Sequence, residues 1–253
     1  MLIMQCYSVA RWILPFFAGL TWAVSGYASP QLETPKYLTE IYQQAIASPT
    51  RIDADRLADA KRKPLEFLQF TDVRPGMLVL DIAAGGGYTT QLLSLAVGST
   101  GIVWAQSDKP MPALEARLAN QKQSNIIPVI RPLEDPVPDD APKLDLITII
   151  MNYHDISYMA ADRVKMNQRL FAALKPGGHL VVMDHSAKAG AGTSAALTLH
   201  RIEEKIVLAE MQQAGFMLIE ESNFLRNPGD PRDQAFFKMN IPTDIFALRF
   251  YKP

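Results

Sequence analysis

The chain has 253 residues, 48% of them hydrophobic and 20% charged, enough for one globular domain with a sizeable core. The formal net charge is −1, so no global basic field points to a nucleic-acid partner. The one cysteine, Cys6, leaves no intrachain disulfide and no cysteine-ligated metal. Blocks of like charge are absent, and the mixed-sign stretch 51–63 reads as a solvated helix face.

Residues 1–28 read as an export signal. Arg11 precedes an apolar run over 12–26, and Gly26-Tyr27-Ala28 offers small residues for a cut after Ala28. A retained membrane anchor competes with this reading, but the run is short for a spanning helix. The expected location is periplasmic or secreted, with cytoplasmic as the alternative. Residues 29–70 are expected to form a helical segment, and 71–253 an α/β domain.

Residues 30–70 have helical spacing. Leu38, Ile41, Tyr42 and Ile46 line one face, and Leu57, Ala60, Leu65, Phe67, Leu68 and Phe70 another. Ser48-Pro49-Thr50 separates the two. Strands are expected over 77–82, 102–105, 126–130, 144–151, 179–183, 216–221 and 245–251. Helices are expected over 89–96, 112–123, 160–174 and 201–214. The 144–151 run is apolar enough for a central strand buried on both faces. Lys175-Pro176-Gly177-Gly178 is the turn into the fifth strand, and residues 226–243 form a long connection or lid. This alternation predicts a doubly wound, Rossmann-like, seven-stranded and mostly parallel sheet, closed by an antiparallel pair.

The first strand runs into Asp81-Ile82-Ala83-Ala84-Gly85-Gly86-Gly87. Glycines here let the chain turn sharply and approach a ligand, and the next helix presents free N–H groups to it. A dinucleotide loop wants G-x-G-x-x-G, and Thr90 stands at the third glycine. Asp81 repels a pyrophosphate but suits a cation, so the charge favours S-adenosylmethionine over NAD.

The loop resembles motif I, D-x-G-x-G-x-G, of the class I S-adenosylmethionine-dependent methyltransferases. The KPGG turn and the order of elements resemble that family too. More narrowly, the chain resembles a bacterial predicted-methyltransferase group over about residues 53–253, in segments such as GMLVLDIAAGGGYTT, NYHD, LKPGGHLVVMDHSA and LRNP. The resemblance implies a cofactor site at Asp81, Ala83, Gly85, Gly86 and Gly87, with Ala83 replacing a motif glycine. It also implies an acid after the second strand that accepts the ribose hydroxyls. Gln106 stands in that place, and Asp108 substitutes if the loop is shifted by two. Glu134 lies where an adenine-contacting acid is common, and Asn152 closes the site from the fourth strand.

That strand ends in Asn152-Tyr153-His154-Asp155, where the methyl acceptor would meet the donor. Methyl transfer needs in-line approach and a deprotonated acceptor. His154 is the candidate base. Asp155 orients it or caps the next helix, and Tyr153 is the third catalytic candidate. A metal site from Asp155, Asp184 and His185 rests on position alone, and no metal is expected. Arg201 and Arg226 either bind an anionic substrate or pair with nearby acids. The expected partner is a small molecule. The competing reading is an exported, non-catalytic binding protein that kept the fold.

Overall fold

The computed structural model describes residues 35–120 and 123–253. The expected export signal lies outside the described residues. No described helix is long and apolar enough to cross a membrane.

Seven strands form one sheet: β1 Leu78–Ile82, β2 Ile102–Ser107, β3 Ile126–Ile130, β4 Leu144–Ile150, β5 Leu174–His185, β6 Met217–Ser222 and β7 Ile245–Tyr251. Their order is β3-β2-β1-β4-β5-β7-β6. All pairings are parallel except those of β7, which runs antiparallel to both β5 and β6. The expected doubly wound sheet is therefore observed. Its strand order reverses between β1 and β4, where such sheets open a crevice beyond their carboxyl ends.

The two-residue period of β1 and β4 divides the core. Leu80, Ile82, Ile147 and Ile149 face α6 Tyr153–Tyr158, α7 Arg163–Ala173 and α9 Glu204–Gln213. Val79, Leu146 and Ile150 face α1 Lys36–Ala47, α3 Pro64–Thr71 and α4 Tyr88–Val97. Asp81 and Thr148 fall on the α4 side by the same alternation. Tyr42 is fully buried in α1, and its hydroxyl donates to the Val73 carbonyl at 2.7 Å.

Several boundaries differ from expectation. β2 continues through Gln106 and Ser107, which pair with Val129 and Ile130 of β3. The helix expected from residue 160 begins at Arg163, because the Asp162 carboxylate accepts from the Lys165 N–H at 3.0 Å. The short helices α6 and α8 Ala196–Leu199 carry too little periodicity to predict. Of the segment 112–123, the described helix is α5 Pro112–Asn120.

The largest correction concerns α2 Asp53–Arg62. Asp53, Arg56 and Lys61 are exposed as expected, but Arg51 just before it and Asp55 within it are buried, while Leu57 is 82% exposed. Fixed charge partners draw these two charged residues inward. Arg51 pairs with Asp59 at 2.5 Å, and Asp55 pairs with Arg117 of α5 at 2.6 Å.

Candidate active site

The loop between β1 and α4 turns through three left-handed residues, Ala83 at φ 52°, Gly85 at 55° and Gly87 at 83°. Two of them are glycine, which reaches this region without cost; Ala83 does not. The loop is tied on both sides. The Ala84 N–H donates to the Gln106 carbonyl at 2.9 Å, and the Asn152 amide donates to the Ala83 carbonyl at 3.3 Å. From below, Arg117 Nε donates to the Gly86 carbonyl at 3.1 Å.

The glycines are not equivalent. A Cβ on Gly85 would meet only the Ala83 carbonyl oxygen, at 3.9 Å, whereas one on Gly87 would stand 2.7 Å from Leu114 Cδ1. Gly85 therefore leaves room for a ligand, and Gly87 leaves room for α5. For Gly87, expected to serve the cofactor, the structure supplies a packing reason.

Asp81 is fully buried. Its two oxygens accept from Thr90 at 2.6 Å and Thr148 at 2.7 Å. Burial pushes its carboxyl up to about 6, against the pull of the two hydroxyls. Thr90, where a dinucleotide loop wants glycine, is thus the partner that satisfies Asp81.

Gln106 does not meet its expected role at a ribose. It has no exposed surface; its Oε1 accepts from the Ala83 N–H at 3.2 Å, and its Nε2 donates to the Arg131 carbonyl at 2.8 Å. A carboxylate here would face that carbonyl with no proton to offer, so the interior selects an amide. Asp108, two residues on, lines a cavity of about 450 Å³ beyond the ends of β2 and β3. Glu134 lines it too, with Leu133, Met159 and Ala161. Arg131 reaches the same wall, but its guanidinium is spent on Asp135 and Asp139, at 2.8 and 2.9 Å. The volume suits a small organic ligand, and the acids at its edge suit hydroxyls and a net positive charge.

The ends of β4 and β5 carry a second cluster. Asp184, with no exposed surface, accepts from the His154 N–H at 2.7 Å and lies 2.6 Å from His154 Nδ1. His154 Nε2 is 3.1 Å from Asp155 Oδ1, yet no acceptor is aligned with it. His200, at the end of α8, brings its Nδ1 within 3.1 Å of the same Asp155 oxygen. Burial alone would lower the His154 pKa, but Asp155 and Asp184 outweigh it and hold the ring up at about 9. Asp155 drops to about 2: burial works against this, and His154 overcomes it. His154 is thus held between two carboxylates that favour its charged form, whereas a free base was expected. Asp155 lies on the first turn of α6 and caps nothing with its side chain.

Tyr153 points the other way. It is fully buried among α6, α7 and α9, donating to Glu210 at 2.6 Å and accepting from Asn167 at 2.8 Å. Burial raises its pKa further from neutrality, so it is a structural phenol and not a catalytic one. His185 stacks on Phe236 at 4.4 Å, and its Nδ1 lies 2.8 Å from the Thr243 hydroxyl. It stands apart from Asp155, so the grouping of Asp155, Asp184 and His185 does not form. Arg201 and Arg226 pair with acids: Arg201 is fully buried against Asp230 at 2.8 Å, and Arg226 meets Glu204 and Asp244. The connection 226–243 is thereby pinned to the sheet.

A family model described as the ubiE/COQ5 methyltransferase family matches residues 61–224, well over half of the chain. The chain belongs to that family. Membership agrees with the methyltransferase class implied by the Asp81 to Gly87 loop, and the NAD reading is set aside. The ubiquinone/menaquinone biosynthesis C-methyltransferase UbiE of Marinomonas sp. (strain MWYL1) is 34% identical over 118 residues, 45% of each chain. That of Hydrogenovibrio crunogenus is 31% identical over 123 residues, 47% of this chain and 46% of its own. The match thus spans about half the length of these curated relatives. Among solved structures, an S-adenosylmethionine-dependent methyltransferase from Aquifex aeolicus superposes at TM-score 0.60 and 16% identity, covering 88% of this chain and all of its own. The N-methyltransferase NodS from Bradyrhizobium japonicum superposes at 0.54 and 16% identity, covering 77% of this chain and 96% of its own. Both likenesses establish the fold.

Sequence reasoning missed Asp55, Arg117 and His200. Asp55 and Arg117 sit in helices whose composition reads as solvated, and His200 lies 45 positions from Asp155, which it touches only in the fold.

Proposed function

We propose that the protein transfers a methyl group from S-adenosylmethionine to a small aromatic acceptor. The observation that carries the donor site is the acid-edged cavity of about 450 Å³, bounded by Asp108 and Glu134 and lying on the glycine-loop side of the strand-order reversal. When bound, S-adenosylmethionine supplies an electrophilic methyl group on a sulfonium. Asp108 would hold the ribose and Glu134 the adenine. Gln106, Asn152 and Arg117 keep the loop in the shape that leaves Gly85 open.

Two observations support an aromatic acceptor. Tyr158, Phe236 and Phe237 present exposed rings around His200, at centroid distances of 6.4, 6.0 and 5.4 Å, and the connection carrying two of them is held down by Arg201. Met159, one residue after Tyr158, lines the cavity, so one short segment joins the aromatic rim to the donor side. The curated relatives are named for C-methylation in quinone biosynthesis. A ring carbon acceptor is the reading we carry over from those names. Family membership favours turnover over a fold retained only for binding.

The test is calorimetry and methyl-transfer assay on the full chain and on Gly85→Val. The wild type should bind S-adenosylmethionine and release S-adenosylhomocysteine when offered hydroxylated or quinol ring compounds. The variant should keep its circular dichroism spectrum and lose binding. Normal donor binding by Gly85→Val would sink the assignment of the loop. We also propose that residues 1–28 direct export; residues 1–35 fused to a reporter active only after export should activate it, and an inactive reporter would overturn this.

A further inference from the structure

We propose that His154, Asp155 and His200 form a site for a single divalent transition-metal cation of the zinc type. The inference rests on the side-chain cluster alone and not on the methyl-transfer reading.

One donor atom from each of the three residues lies within 4.8 Å of the other two. Asp155 Oδ1 is the shared corner, 3.1 Å from His154 Nε2 and 3.1 Å from His200 Nδ1. Bonds of about 2.0–2.1 Å in tetrahedral geometry separate neighbouring ligand atoms by roughly 3.3 Å. The two measured edges therefore need only a few tenths of an ångström to admit the ion.

His154 is prepared as a ligand. Its Nδ1 sits against Asp184, the carboxylate–imidazole contact that fixes the tautomer and ring plane of metal-binding histidines. That contact turns Nε2 toward Asp155 and His200. The His154 side chain is 1% exposed, and its Nε2 has no aligned hydrogen-bond partner. A buried nitrogen aimed into a cluster and left unsatisfied calls for an occupant. Asp155 is steadied in turn by the Tyr158 hydroxyl at 2.9 Å.

The ligand chemistry selects the ion. Two imidazoles and one carboxylate suit zinc and its neighbours, whereas magnesium and calcium require oxygen donors. Asp155 and Asp184 together balance a dication. Three protein ligands leave a fourth position open.

The test uses the tag-free full chain, stripped with chelator and titrated with Zn²⁺ and with Co²⁺ as a spectroscopic probe. One equivalent should bind saturably, and Co²⁺ should give the visible absorption of a tetrahedral site, displaced by Zn²⁺ and unaffected by Mg²⁺. His200→Ala and Asp155→Asn, both partly exposed positions, should fold normally and weaken Zn²⁺ by more than about 100-fold, beyond what losing a supporting contact costs. Absence of saturable Zn²⁺ binding overturns the proposal. So does tight binding that survives both substitutions.

Discussion

Arg117 offers the sharpest test of how the glycine loop is held. Its side chain is 5% exposed, and that of its partner Asp55 is 4%. The guanidinium donates to both Asp55 oxygens at 2.6 and 2.9 Å, to Gln91 Oε1 at 3.2 Å and to the Gly86 carbonyl at 3.1 Å. Arg117→Met keeps much of the stem and removes every donor. It strands a buried carboxylate, so the expected cost is about 3–5 kcal/mol. Domains are stable by only about 5–15 kcal/mol, so this is a large fraction of the whole. Removing both charges, in Arg117→Met with Asp55→Leu, should cost much less than the two single changes added together. Urea unfolding of the four proteins, followed by circular dichroism, measures the coupling. Donor affinity should fall in the single variant, because the Gly86 carbonyl loses its brace. A cost under about 1 kcal/mol for Arg117→Met, or strict additivity in the double variant, would refute the buried pair as the anchor.

Three further outcomes follow from the same geometry. Asp81 has its folded pKa raised to about 6, so its contribution to stability is full below the unfolded value of 3.8 and is lost as pH rises through 6. Asp81→Asn should remove that slope and gain up to about 3 kcal/mol at pH 7, while weakening donor binding; an unchanged stability–pH profile contradicts it. Tyr153→Phe unpairs Asn167 and should cost about 1–3 kcal/mol of stability with the turnover rate of the folded protein unchanged. A selective loss of rate would return this phenol to the catalytic list. Ala83→Gly relieves a left-handed alanine and should raise stability by roughly 0.5–1 kcal/mol in thermal melts, whereas a decrease would show that packing of the Ala83 methyl against the core outweighs the strain.

The fold was legible because its signals are local. β3 and β7 match their expected ranges and β1, β2, β4 and β6 lie within two residues of theirs, whereas β5 begins five residues early and takes in the expected Lys175 to Gly178 turn. Apolar runs, turn glycines and helical spacing act over four to eight residues, a range any window of sequence contains. The Asp81 to Gly87 loop was legible for the same reason.

Partner choice was not legible. The sequence by itself determined the doubly wound sheet, the glycine loop and the family to which they belong. It also marked Asp108 and Glu134, which meet on one cavity wall. Only the tertiary structure decided that Gln106 braces a loop, that Tyr153 turns inward, and that Asp55 is buried while Leu57 is exposed. Only it brought His200 onto Asp155 and turned a candidate base into a histidine held between carboxylates. The physical reason is range. Backbone preferences are set by neighbours along the chain, but the state of a charged or polar side chain is set by groups that folding brings within about 3 Å.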